Sequence, residues 1–296
     1  MAKWKTSTQA AMLRSFQKRV SQQSQSYITP PPADSVSTFS YLVETTPGAT
    51  PVHIYYPIAD VSKKLPVYIN LHGGGFVMGS SGEDAGWCRY IAAEVSCVVV
   101  NIDYHLAPKT RFPAPVLEVF EIVEWLTAQA GRLSLQMDNY VLGGHSAGGN
   151  LAATASMMLR DTGHRLPKLQ ILDYPVLDLQ TDPYEKPSYS TAIPPYIAQI
   201  FNDSYLQTPQ DARHPYVSPL YAEQLEGLPP ALVITAEYDS LAREAAQYVS
   251  RLEKAGVAVQ HYPFSATSHG FTHMGNEETA LEAWATIIHA LKRAFK

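Results

Sequence analysis

The chain has 296 residues, enough to bury a sizeable core, and its 46% hydrophobic and 17% charged content excludes a disordered chain. A formal net charge of -5 speaks against nucleic acid as the main partner, because phosphate binding needs a basic face. Cys88 and Cys97 form no C-x-x-C pair and have no histidines at zinc spacing, which predicts reduced, packed thiols and points to a cytoplasmic protein.

The N-terminal Met1-Ala2-Lys3-Trp4-Lys5 is basic, but Thr6 to Gln9 stands where the apolar part of a secretory signal would begin. No apolar run approaches the length needed to span a bilayer, so no membrane association is expected. Met12, Leu13, Phe16 and Val20 make a narrow apolar stripe at helical spacing, closed by the polar run Ser21 to Ser26 and by Pro30-Pro31-Pro32. Such a stripe must lie on something, either the main body or a ligand-covering lid. From Val36 the period changes to two. Phe39, Tyr41 and Val43, a turn at Pro47-Gly48, then Val52, Ile54 and Tyr56 predict an antiparallel hairpin.

Beyond the hairpin, short apolar runs alternate with helical patterns. Strands are expected at Val67 to Leu71, Cys97 to Ile102, the run leading to Gly144, Leu169 to Leu172, Ala231 to Thr235 and Val257 to Tyr262. Helices are expected at Gly86 to Val95, Pro113 to Ala130, from Ala147 to about Leu159, Ser240 to Lys254 and Glu277 to Ala294. Continuously apolar strands alternating with helices predict an α/β fold with a mostly parallel central sheet and helices on both faces. One stretch interrupts the rhythm. Between Asp178 and Leu228 no strand is legible, but Tyr184, Tyr189, Tyr196, Phe201, Tyr205, Tyr216 and Tyr221 are scattered among prolines. An insertion after a strand's carboxyl end sits where such sheets bind ligands. A single domain is therefore expected, with a small helical cap from about 1–35 plus an insertion at about 179–227.

The motif that gives this layout a chemistry is Gly144-His145-Ser146-Ala147-Gly148, at the end of an apolar run and the start of a helix. A G-x-S-x-G in that context is a nucleophile elbow, a turn so tight that its neighbours must be small and Ser146 is left exposed. An acyl-transfer serine also needs donors aimed at the developing oxyanion. His72-Gly73-Gly74-Gly75-Phe76 follows a strand end, so Gly74 and Gly75 are the expected backbone donors with Ala147, while His72 braces the loop. The base should be a late loop histidine, and His269 in Ser268-His269-Gly270-Phe271 fits best, with His273 and His261 as rivals. The orienting carboxylate should follow the preceding strand. Asp239 fits, Glu237 competes, and Asp173 and Asp178 suit the chain order less well. There is no P-loop and no His-Glu-x-x-His, so no cofactor and no metal centre is expected.

These strings, with Tyr104-His105-Leu106-Ala107-Pro108, Ser218-Pro219-Leu220, Gly227-Leu228-Pro229-Pro230-Ala231 and Asp239-Ser240-Leu241, resemble the bacterial hormone-sensitive-lipase-like esterases, a branch of the α/β hydrolases. The resemblance runs from about Leu65 to the C-terminus. It implies a Ser146/Asp239/His269 triad, an oxyanion hole at Gly74, Gly75 and Ala147, and hydrolysis of short to medium acyl esters of small molecules without a cofactor. Phe76, His145, Tyr196, Phe201 and Tyr205 are candidate substrate contacts, and relatives suggest a possible homodimer through the sheet edge. An amide or acetyl hydrolase (a formamidase or a deacetylase) could use the same triad; a non-catalytic receptor on this fold would lack the histidine. The family usually carries Asp at His145, Arg-Leu-Ala-Pro-Glu at His105 to Lys109, and Pro at Ser240. The departure at His145 leaves two roles for that residue, a second base or a side chain turned away into packing.

Overall fold

The computed structural model describes residues 7–23, 27–29, 31–32, 34–58 and 63–296. The chain runs α1 (Ser7–Gln23), β1 (Val36–Thr45), β2 (Gly48–Pro57), β3 (Leu65–Leu71), α2 (Ala85–Val95), β4 (Val98–Ile102), α3 (Ala114–Ala128), β5 (Leu135–His145) and α4 (Ala147–Asp161). It continues with β6 (Leu169–Asp173), α5 (Pro195–Tyr205), β7 (Ala231–Tyr238), α6 (Ala242–Lys254), β8 (Val259–Ser268), α7 (Phe271–Met274) and α8 (Glu277–Ala294). The eight strands form one sheet in the order β1-β2-β4-β3-β5-β6-β7-β8. β1 and β2 pair antiparallel, β2 meets β4 antiparallel, and every later pairing is parallel.

The reason the middle strands read as unbroken apolar runs is visible in their two faces. Val67, Ile69 and Leu71 of β3 and Val98, Val100 and Ile102 of β4 join one core, under α3, α4 and α6. Tyr68, Val99 and Val141 point the other way, into a second core closed by Trp87 and Ile91 of α2 and Trp284 and Ile287 of α8. Trp87 and Trp284 stack at 4.0 Å between centroids and tie those two helices together. β8, with β7 as its one neighbour, is more polar, so its apolar pattern fades after Tyr262 although the strand continues to Ser268.

One expectation needs correcting. In α1 the buried side is Ala10 and Leu13, with Phe16 and Val20 half-buried, whereas Met12 points outward and is 43% exposed. The aromatic insertion packs in two parts. Its first part, centred on α5, packs Ile197, Ile200 and Phe201 against Leu13 of α1 and against Val77 and Met78, which follow β3. Its second part sinks into the main core through Val217, Leu220, Ala222 and Leu225. Backbone carbonyls explain the difference. Asn150 of α4 donates to Val217 O (2.8 Å), and Arg251 of α6 donates to Leu220 O and Ala222 O, so this stretch is fixed to the helices beneath it. The expected cap segments 1–6, 24–26, Pro30 and Ala33 lie outside the described residues.

Candidate active site

The elbow is built as its glycines require. Ser146 takes φ 55° and ψ −115° between β5 and α4, a region that few residues other than glycine adopt. The turn is held shut by Ser146 N–H donating to Asp173 O at 2.9 Å. A Cβ on Gly148 would lie 2.0 Å from Leu71 O, and one on Gly144 would lie 2.4 Å from the same oxygen. The start of α4 therefore crosses the end of β3 backbone to backbone, and no side chain fits between them.

The other triad candidates arrive on the adjacent strand ends. Asp239 directly follows β7 and His269 directly follows β8. His269 Nε2 lies 2.9 Å from Ser146 Oγ, and His269 Nδ1 lies 2.8 Å from Asp239 Oδ2. Asp239 is almost wholly buried, and its other oxygen accepts Leu241 N–H at 3.1 Å. Burial pulls the His269 pKa down, but the Asp239 carboxylate, by its charge and its hydrogen bond, outweighs burial with help from Asp173 and Glu244. The net shift is upward from the ordinary histidine value. The rival residues are occupied elsewhere. Glu237 accepts from Ala266 N–H (2.7 Å), His261 meets Thr235 Oγ1 (2.9 Å), and Asp178 accepts from Gln180 and Thr181 N–H (2.8 and 2.9 Å). Asp173 is buried below Tyr174 and accepts from Thr272 Oγ1 at 3.0 Å.

On the opposite side of Ser146 lies the glycine loop. His72 Nδ1–H donates to Gly73 O at 2.7 Å, the His72 ring stacks on Tyr104 at 4.2 Å, and Tyr104 Oη donates to His72 O at 2.9 Å. His72 thus braces the loop through Nδ1 and its stacked ring. Gly75 sits at φ +60°, and a Cβ there would meet the Phe201 ring at 2.3 Å, so the α5 side chain rests directly on the loop. Ala147 is the first residue of α4, and the N–H groups of a helix's first turn have no partner within the helix.

The candidate substrate contacts separate into four groups. Phe201 faces the glycine loop. Phe76 and Tyr205 stack on each other at 3.9 Å, and both are buried, so their rings fill the core beneath the loop and offer no free face. Tyr196 is exposed on α5. His145 turns away from Ser146: Gly73 N–H donates to its Nε2 at 3.0 Å, and the ring stacks on His273 at 4.2 Å. Burial holds the His145 pKa down at about 4 despite the nearby Asp84 carboxylate, so this imidazole is neutral at pH 7.

Three residues of this neighbourhood were not singled out from sequence. Asp84 lies 3.2 Å from His145 Nε2. Tyr174, at φ 34°, sets its ring edge-on to His269 at 5.0 Å and hydrogen-bonds Thr272 Oγ1 at 2.6 Å. Lys186 of the insertion pairs with buried Glu244 at 2.5 Å, and Glu244 in turn accepts Leu177 N–H (2.7 Å) and Asp178 N–H (3.1 Å), holding the loop after β6. Nothing in the sequence sets Asp84 apart from an acid that caps the helix after it.

Known proteins agree with this architecture. The profile of the alpha/beta hydrolase fold family matches residues 68–273. An arylesterase of Saccharolobus solfataricus is 32% identical over 250 residues, covering 83% of this chain and 80% of its own. An ethyl acetate hydrolase of Pseudomonas putida is 31% identical over 269 residues, covering 88% and 83%. Among solved structures, a thermostable carboxylesterase cloned from a metagenomic library superposes with a TM-score of 0.87 at 30% identity, covering 97% of this chain and 98% of that one. With the elbow, the strand order and these likenesses in agreement, the chain belongs to the α/β-hydrolase family, in its hormone-sensitive-lipase-like esterase branch.

Proposed function

We propose that the protein is a serine carboxylesterase acting on short to medium acyl esters through an acyl-enzyme. The observation that carries this reading is the unbroken hydrogen-bond chain from Ser146 Oγ through His269 to buried Asp239. Ser146 Oγ attacks the ester carbonyl carbon as its proton passes to His269 Nε2, and Asp239 stabilises the imidazolium that results. The carbonyl oxygen, now an oxyanion, is received by the N–H groups of Gly74, Gly75 and Ala147. As the tetrahedral intermediate collapses, His269 gives its proton to the departing alkoxide and the acyl group stays on Ser146. Water then attacks the acyl carbonyl and yields its proton to His269. The second intermediate releases the carboxylic acid and returns the proton to Ser146. No step needs a cofactor.

Phe201 pressed against Gly75, with α1 behind it, supports a cap formed by α1 and α5 whose inner wall limits the acyl chain. The relatives point the same way, one being named for ethyl acetate, an ester with a two-carbon acyl group. Ser146→Ala should lower turnover of p-nitrophenyl butyrate by about 10⁵-fold or more while leaving the thermal midpoint within a few degrees. Wild-type turnover in that variant overturns the reading. A panel from acetate to laurate esters should show a steep fall with chain length, and preference for laurate would remove the short-chain assignment.

A further inference from the structure

The glycine loop leans on a cluster outside the triad. Asp84 closes the short helical turn Ser81–Asp84, His145 ends β5, and His273 lies in α7. Three distant segments thus bring two imidazoles and a carboxylate to one point. Asp84 Oδ1 lies 3.2 Å from His145 Nε2 and 3.2 Å from His273 Nε2, and the three ligand-capable atoms all lie within 4.8 Å of one another. Two imidazole nitrogens and a carboxylate oxygen are a zinc donor set. Bonds of about 2.0–2.1 Å at tetrahedral angles put ligand atoms roughly 3.3–3.4 Å apart, close to both observed spacings.

Three observations favour a cation over a plain hydrogen-bonded cluster. His273 Nε2 is buried and has no hydrogen-bond partner although a carboxylate oxygen is near. Its other nitrogen, Nδ1, is engaged by Thr272 Oγ1 at 2.8 Å and Tyr174 Oη at 3.0 Å, while Thr272 donates to Asp173. That outer arrangement fixes the ring and leaves Nε2 as the free ligand atom. His145 Nε2 accepts the Gly73 N–H, so in that tautomer it faces Asp84 as lone pair against lone pair. The second Asp84 oxygen is steadied by Asn70 Nδ2 at 2.8 Å.

We propose that Asp84, His145 and His273 form an inhibitory binding site for a divalent cation of the zinc type, with water completing a four-coordinate sphere. The two rings lie nearly parallel, 23° apart, so their lone pairs converge on one ion only if the rings splay. Splaying moves His145 off Gly73, and the metal takes the lone pair that Gly73 N–H uses. The loop carrying Gly74 and Gly75 then loses its support, and catalysis falls while the metal is bound. The inhibition rests on the esterase reading; the binding does not.

The test uses the full chain without a polyhistidine tag, stripped with EDTA and titrated with zinc chloride by calorimetry. One zinc per chain is expected to bind, and ester hydrolysis is expected to fall roughly tenfold at saturation and to recover with EDTA. His273→Phe, which keeps a flat ring against His145 and Trp284, and Asp84→Asn should each weaken binding by about 10-fold or more. Each variant's metal-free rate is its own reference, and its thermal midpoint shows that it has folded. If one variant does not fold, the other carries the test. Absence of calorimetric binding overturns the site. So does binding of undiminished affinity in a folded variant, which would move the ion elsewhere, His269 included. Tight binding without inhibition overturns the coupling to the loop. Loss of zinc-free hydrolysis in the wild type would instead count against the esterase reading, and the calorimetric result would stand apart from it.

Discussion

Two histidine–carboxylate assemblies flank Ser146, and they obey opposite rules. In the first, every polar atom of the chain Ser146–His269–Asp239 has a partner in the right donor and acceptor role. In the second, a single nitrogen of His145 is approached by both an N–H and a carboxylate, and His273 Nε2 lies beside the same carboxylate without a hydrogen bond. Tyr174 stands between them, edge-on to His269 at 5.0 Å and to His145 at 6.0 Å. A fully satisfied network fixes one geometry, whereas a partly satisfied one keeps alternatives close in energy. The first arrangement suits a reaction that must begin from one pose, and the second suits a support that can be withdrawn.

Breaking the satisfied network should have the largest effect. Asp239→Asn keeps the shape but presents the wrong hydrogen-bonding group to His269 Nδ1, and kcat should fall about 10⁴-fold. A loss under tenfold, measured by steady-state hydrolysis, would mean that Asp239 does not orient the base. The pH profile comes next. His269 must be neutral to take the serine proton, and its pKa is raised above 6.5 by Asp239. The rate kcat/KM should therefore fall as pH drops through an apparent pKa above 6.5, approaching tenfold per pH unit on the acid limb. An acid limb set below that value would argue that Asp239 and its neighbours leave the base unshifted.

The less satisfied cluster should yield smaller losses. His145→Phe retains a flat ring but removes the acceptor for Gly73 N–H, a change of about 1–2 kcal/mol, so kcat should fall roughly 5- to 30-fold with KM nearly unchanged. Unchanged kcat would show that the loop stands without His145. Smallest in turnover is Phe201→Ala, which frees the face of Gly75. The ratio of hexanoate to acetate activity should rise by roughly 3- to 10-fold, at a stability cost of about 2–4 kcal/mol for the lost packing. A flat chain-length profile would remove Phe201 from the acyl wall.

The contrast also accounts for what the amino-acid order reveals. Ser146, Asp239 and His269 are legible because each follows an apolar strand, and the sheet puts the ends of β5, β7 and β8 on one edge. The glycine loop is legible because backbone approach excludes side chains. Asp84 is not, since an acid in the turn before a helix has the look of ordinary capping. His273 reads from the sequence only as a rival base, because nothing local says that α7 turns it toward β5. The insertion was legible as aromatic and strandless. Its division was not, because Asn150 and Arg251 bind backbone carbonyls of the second part, which leave no trace in side-chain pattern. Among the described residues no helix is long and apolar enough to cross a membrane.

The contact of Gly148 with Leu71 O has a consequence for placement error. Because the start of α4 rests on the end of β3 without a side chain between, nucleophile and glycine loop share one rigid frame, and their separation cannot drift with rotamer choice. His269 enters from β8, which among the described residues ends the sheet beside β7, so it is located through a longer series of parts. Tolerance in this site is therefore uneven: tight between Ser146 and the loop, looser toward the base. Substitutions scattered through the fold should blunt proton transfer before they disturb the grip on the oxyanion.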